Sequence, residues 1–458
     1  MSKKGWIAFG FLAALVGGGF IAADRLLAAS AYALVNQLQA GLPEGASFTH
    51  GELKTSLLHR EVSLDSVDVK TPDGNFTAKR LVMRGLPWLS REQISVGQIE
   101  LEDASFNGPF AMTAEHFRVD RPLLKVQEGQ AQPQFSFQSA TLGNFSFKRQ
   151  DVNFSLSLPD LKVGAFEGNR LAHLEARAAE GTLPDNTGVP IIIRLESLAV
   201  DGFDLALLSA QTPLQLISPL MLQDSLRNLA LDGFSMRREG KEGLSLDKFS
   251  FNGTGVSGTS RTELGVEVLG LKIAREGLPP EIADQLQAIG KEALEIRAEF
   301  GSKLELEDKR LVFQPLRITI PDMLEISLRS ELGNVQSADQ VANGVAMAAA
   351  SLGLVEFHLK DLGFVKRRVD TQARLRGVSR EDYVASEISV IAPARGGGGP
   401  QTERLAKAFQ NFMLNSGELV LVARPSEPLS LMQMFFLANR PESLLEKLGV
   451  FVTVNNQD

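Results

Sequence analysis

Beyond residue 43, apolar and polar positions alternate in short runs, and a period of two predicts half-buried strands. Val62-Ser63-Leu64 and Val67-Asp68-Val69 alternate on either side of Asp65-Ser66, and Thr71-Pro72-Asp73-Gly74 follows as a turn. Residues 76–83 predict a further strand. Ile94-Ser95-Val96-Gly97-Gln98-Ile99-Glu100-Leu101-Glu102 alternates throughout, as do Phe135-Ser136-Phe137, Phe145-Ser146-Phe147 and Phe154-Ser155-Leu156-Ser157-Leu158. Short alternating strands separated by turn residues predict an antiparallel all-β structure.

A weak repeat runs through this part. Leu198-Ala199-Val200-Asp201-Gly202-Phe203 recurs as Leu229-Ala230-Leu231-Asp232-Gly233-Phe234, and Ile99-Glu100-Leu101-Glu102-Asp103 carries the same beat. A strand ending in Asp-Gly and restarting at Phe predicts a turn at a sheet edge. Repetition of the unit predicts a sheet that grows by adding similar strands.

The period changes again toward the C-terminus. Ile282, Leu286, Ile289 and Leu294 recur at helical spacing after Pro279-Pro280, and residues 339–350 predict an Ala-rich helix. Strands are expected over 296–306, 311–320, 324–332, 354–359, 418–422 and 450–454. Helices are expected over 401–414, 430–437 and 441–448, and Gly396 to Gly399 predict a flexible loop. The expected organisation is a segment over 1–43, an antiparallel β domain over 44–275 and an α+β domain over 276–458.

The opening residues have a different pattern. Lys3 and Lys4 precede an uncharged run over 5–23, in which Trp6, Phe9, Phe11, Leu12, Leu15, Phe20 and Ile21 supply the bulk. A helix of about 20 apolar residues crosses a hydrocarbon core of ~30 Å. The two lysines predict a cytosolic N-terminus. The expectation is a single-pass inner-membrane anchor, prolonged by an amphipathic stalk to Gly41-Leu42-Pro43, with the bulk of the chain in the periplasm. A rival reading is a cleaved signal peptide, since Ala29-Ser30-Ala31 and Ala31-Tyr32-Ala33 fit the small-x-small pattern.

Composition narrows the chemistry. An apolar content of 44% over 458 residues supports a sizeable core. The chain has no cysteine, which excludes disulfides and cysteine-zinc sites. A net charge of −8 argues against nucleic acid. Phenylalanine numbers 27, against two tyrosines and two tryptophans, so the aromatics lack polar handles and suit a dry interior or a greasy groove.

Candidate chemistry is sparse. His50, His59, His116, His173 and His358 stand apart, without the spacing of a metal site. Asp201 and Asp204 lack the ligand spacing of a calcium loop. The Gly396 to Gly399 run lacks the ending of a phosphate loop. The basic run Lys366-Arg367-Arg368 suits a solvated helix start or a phospholipid headgroup contact. The apolar stretch Leu429-Ser430-Leu431-Met432-Gln433-Met434-Phe435-Phe436-Leu437 suits a core plug or a flexible contact. No catalytic residue, metal or cofactor is expected, and the chain is read as a non-enzyme.

Gly51-Glu52-Leu53-Lys54-Thr55-Ser56-Leu57, Val62-Ser63-Leu64-Asp65-Ser66-Val67-Asp68-Val69, Phe76-Thr77-Ala78-Lys79-Arg80-Leu81 and residues 94–106, set after an N-terminal anchor, resemble the start of bacterial AsmA-like proteins. They resemble YdgA-like (DUF945) proteins more loosely. The resemblance covers about residues 1–110. It implies an inner-membrane anchor and a periplasmic, curved antiparallel sheet with an apolar inner face that carries lipid. The fold expected is thus mainly β with an α+β C-terminal part, an N-terminal transmembrane helix preceding an elongated, curved sheet. The function expected is binding or shuttling of phospholipid acyl chains in the cell envelope. The alternative is a non-enzymatic scaffold with a closed β core. The expected partners are the inner membrane, phospholipid and other envelope proteins, and no nucleic acid.

Overall fold

A computed structural model describes residues 46–56, 60–85, 93–125, 134–204, 226–254, 261–305, 307–337, 340, 347–391 and 399–455. The protein is mainly antiparallel β, with a few helices in its C-terminal part. The chain divides into two compact units. One holds residues up to 209 together with 231–241, and the other holds 210–230 and 242–458.

The first unit is built from β1 (Ser47–Thr49), β2 (Leu53–Ser56), β3 (Glu61–Thr71), β4 (Gly74–Arg84), β5 (Gln93–Ser95), β6 (Gln98–Asn107), β7 (Ala111–Asp120), β8 (Leu123–Lys125), β9 (Gln134–Ser136), β10 (Ser139–Arg149), β11 (Phe154–Val163), β12 (Phe166–Glu167), β13 (Arg170–Pro184), β14 (Pro190–Asp204) and most of β15 (Asn228–Arg238). β3, β4, β6, β7, β10, β11, β13 and β14 pair in that order, each antiparallel to the next. β5, β8 and β9 form a small separate sheet. The core sits over β3, β4 and β6, where Val62, Leu64, Val67, Val69, Leu81, Ile99 and Leu101 are buried.

The second unit holds β16 (Lys241–Thr254), β17 (Arg261–Ala274), α1 (Pro280–Ala288), β18 (Ala293–Glu305), β19 (Arg310–Ile320), β20 (Leu324–Gly333), β21 (Ser351–Asp361), α2 (Phe364–Arg376), α3 (Arg380–Ile391), α4 (Pro400–Asn415), β22 (Glu418–Ala423), β23 (Leu429–Ser430), α5 (Leu431–Leu437), α6 (Pro441–Leu448) and β24 (Val450–Asn455). β16 to β22 form a meander that β24 completes, and β23 pairs with the start of β21. Two of the helices start on borrowed carboxylates. Buried Asp361 accepts the backbone N–H groups of Gly363, Val365 and Lys366 at 3.0, 2.9 and 3.2 Å, which satisfies the first turn of α2. Glu442 does the same for α4 through Gln401 and Thr402, at 2.9 and 3.0 Å.

Several expectations are corrected. The anchor expected on Lys3, Lys4, Trp6, Phe9, Phe11, Leu12, Leu15, Phe20 and Ile21, and the stalk after it, lie outside the described residues. So do His59, the Gly396 to Gly398 loop and most of the Ala-rich helix over 339–350. Among the described residues no helix is long and apolar enough to cross a membrane. The longest, α4, has 16 residues with Glu403, Arg404 and Lys407 in them. At 1.5 Å per residue it spans about 24 Å, short of the ~30 Å needed. The single-pass inner-membrane placement, with its periplasmic bulk and the membrane and lipid-transport description drawn from it, is therefore not supported.

The alternation over 94–102 is not one strand. Gly97 N–H donates to Gly85 O at 3.1 Å, and the run splits into β5 and β6. The Asp201-Gly202-Phe203 and Asp232-Gly233-Phe234 repeats are not edge turns. Both lie inside strands, with the glycines at φ 66° and 63°. The apolar run over 429–437 divides: Leu431 and Met434 pack into the core, whereas Met432, Phe435 and Phe436 are exposed.

Candidate functional site

The first unit has one greasy face and one wet face, and the division is set by strand register. Side chains alternate between faces, so antiparallel pairing aligns like residues in rows across a sheet. One row runs Val69, Phe76, Phe106, Met112, Phe147, Leu156, Gly181, Ile193. A second runs Leu64, Leu81, Leu101, Phe117, Leu142, Leu161, Ala176, Leu198. A third runs Val62, Met83, Ile99, Val119, Ala140, Val163, Leu174, Val200. Each row crosses eight strands without a polar side chain, a width of about 34 Å at ~4.8 Å per strand.

One residue away along each strand the character reverses. Asp68, Thr77, Ser105, Thr113, Ser146, Ser157, Glu180 and Arg194 form a polar row in the same register. The hydroxyls of Thr77 and Ser105, and of Thr113 and Ser146, hydrogen-bond at 2.7 Å. At the far ends of the strands Arg84 donates to Glu61 at 2.9 Å, to Gln98 at 2.8 Å and to Glu100 at 2.7 Å. The hydrogen bond to Glu61 raises the Arg84 pKa, burial opposes it, and Glu100 adds to the rise. Burial pushes the Asp120 carboxyl up, but hydrogen bonds from Ser139, Arg118 and Gln98, with the Arg118 charge, outweigh burial and hold it below the usual value.

The apolar rows change environment along their length. Over β3, β4 and β6 they are mostly sealed, with Leu64 0% and Leu101 3% exposed, while Phe76 and Phe106 in the first row are half buried. From β10 to β14 most large apolar residues of the same face are only half buried: Leu142, Phe145, Phe147, Leu156, Leu158, Leu161, Leu195 and Leu198 all retain solvent contact, while Ala140 and Ala176 are buried. Two phenylalanine groups border this open part. Phe106, Phe110, Phe147 and Phe154 form a chain with ring centroids 5.1, 5.5 and 5.9 Å apart. Phe135, Phe137 and Phe166 form another at 5.8 and 5.6 Å. Rings at these separations gain from offset or edge contacts beyond their buried area.

A second device spaces the rows apart at one level. Ser66, Asp103, Asn144, Ala178 and Gly233 have φ between 47° and 64°, at 51°, 48°, 49°, 52° and 63°. The ladders skip a paired position there, for example between Asp65/Arg80 and Val67/Ala78, and between Gly143/Asp160 and Phe145/Leu158. The apolar spacing becomes three instead of two at that point: Leu64 to Val67, Leu101 to Ala104, Leu142 to Phe145. Facing side chains close over the break. Lys79 pairs with Asp103 at 3.4 Å, Asn144 donates to Glu115, and Glu196 lies where a Cβ on Gly233 would stand.

Among the described residues the histidines do not gather. His50 Nδ1 donates to Gly51 O at 2.8 Å, His173 pairs with Asp201 at 2.5 Å and His358 with Glu418 at 2.9 Å. His116 lies 3.6 Å from Glu115. Among the described residues no group of three or more His, Asp or Glu is arranged to hold a metal ion. The half-buried apolar residues of β10 to β14 were read from the sequence as alternating strand positions and not as a site. The signal that marks them is alternation with a skip at Asp65-Ser66 and at the Asp-Gly repeats.

A family model described as "Uncharacterized protein" matches residues 317–455, from within β19 to the end of β24. That span is C-terminal to residues 1–110, on which the AsmA-like resemblance rests. No curated protein matches the chain.

Proposed function

We propose that the first unit binds acyl chains on its apolar face between β10 and β14. The observation that carries this reading is the change of burial along the rows: the apolar face that is mostly sealed over β3, β4 and β6 is mostly half buried from β10 to β14, Ala140 and Ala176 excepted. An alkyl chain laid along it removes apolar surface from water on both sides, at about 0.8 kcal/mol per buried methylene. The binding is passive. It uses no acid, base or metal, and the absence of polar side chains from the rows leaves the hydrocarbon without competing desolvation costs. The wet face keeps the other side of the sheet hydrated.

The test is titration of the purified protein with a fluorescent long-chain fatty acid, alongside mass spectrometry of lipid extracted from it. Binding in the wild type and its loss in L142D/L158D, with the β circular-dichroism signal retained, supports the reading. No lipid in the extract and no saturable uptake by the folded wild type overturns it.

A further inference from the structure

The second unit ends on an edge strand of unusual character. β24 pairs with β22 along one side, and among the described residues it pairs with no other strand. Its core sequence, Val450-Phe451-Val452-Thr453-Val454, contains no charge and no proline. Val450, Val452 and Val454 are half buried on the face shared with Leu421 and Leu419, the face that α4 packs against. Phe451 on the other face is 71% exposed.

An unpaired edge of this kind is a template for another strand, and proteins blunt such edges with short strands, charges or proline. The first unit follows that practice: the outer side of β3 is divided between β1 and β2, of three and four residues, with Glu52 and Lys54 beside them. β24 has none of these devices.

We propose that β24 pairs antiparallel with β24 of a second copy of this chain. The sequence is self-complementary about Val452. A twofold axis there sets Val450 opposite Val454 of the second copy, Phe451 opposite Thr453 of the second copy, and Val452 opposite its own equivalent. Every apolar residue on the covered face meets an apolar one, and Phe451 meets a β-branched neighbour, as favourable cross-strand pairs require. No like charges oppose each other. The contact is isologous and closes at two copies, so it does not lead to a filament.

Charge exchange at the two solvent-facing positions tests both the contact and its register. In F451K/T453K each lysine faces a lysine of the second copy. In F451K/T453E each lysine faces a glutamate. Sedimentation of the full chain is expected to show a dimer for the wild type, dimerisation about tenfold or more weaker for F451K/T453K, and recovery for F451K/T453E. Circular dichroism confirms that each variant is folded. A monomeric wild type, an undiminished F451K/T453K dimer, or F451K/T453E no tighter than F451K/T453K overturns the proposal. So does capture of a strand from a different protein on β24 of a monomeric wild type.

Discussion

Asn144 donates its side-chain amide to the carboxylate of Glu115 across the break between the paired positions Gly143/His116 and Ser146/Thr113. Asn144 is in the left-handed region at φ 49°. Asparagine tolerates that region because its short polar side chain bonds locally, whereas a β-branched residue meets its own backbone. N144G is expected to unfold at nearly the wild-type urea midpoint, and N144V to lose about 1–2 kcal/mol. Equal stabilities for N144G and N144V would show that the break costs nothing to hold.

Leu101 and Leu158 lie on the same apolar face but in opposite settings. Leu101 is 3% exposed, and Leu158 is only half buried. L101A leaves a cavity and is expected to cost about 2–5 kcal/mol. L158A removes methylenes already partly in water, and is expected to cost about 1 kcal/mol. Denaturant unfolding of the two variants under one condition separates the sealed part of the face from the open part.

Asp120 links the wet face to pH. Burial raises its pKa, and the hydrogen bonds and charge around it lower it further than burial raises it, so the folded value lies below the ordinary 3.8. A carboxyl depressed in the folded state contributes stability that is present above 3.8 and is lost as pH falls from there through the folded value. Denaturation midpoints are expected to drop on acidification through this window. D120N is expected to give a shallower slope there, with a lower plateau at neutral pH, because the amide keeps the shape but loses the charge-assisted bond to Arg118.

The ionic contacts that respond to acid and the half-buried apolar rows lie on opposite faces of the first unit. The ionic contacts Arg84–Glu61, Arg84–Glu100 and Arg118–Asp120 all involve the wet face, whereas the rows from Leu142 to Leu198 contain no titratable group.

Much of the strand content was legible because alternation is a local property. Val62-Ser63-Leu64 and Val67-Asp68-Val69 sit in β3, residues 76–83 in β4, and 401–414 in α4, much as their periodicity predicts. The basic run Lys366-Arg367-Arg368 does lie at a helix start, but the extent of α2, and α3 altogether, were not assigned from sequence. α2 opens with the basic run around Lys366 and buries only Val369 and Ala373, so its apolar stripe is too narrow to register, and its start depends on Asp361. The Asp-Gly repeats were noticed and misread. Asp-Gly favours a turn in isolation, but in β14 and β15 it supplies a left-handed residue within a continuing strand.

The sequence by itself determined that the chain is mainly β, without cysteine, with two-faced strands in its N-terminal part, because one-residue alternation sets which side chains share a face. Only the tertiary structure decided three further things. It aligned the rows across eight strands, since register depends on pairing between distant segments. It left one part of the apolar face open and sealed another, since burial depends on what packs above it. It placed β24 at an edge, since a strand with Val450-Phe451-Val452 reads the same whether its second side is paired or bare.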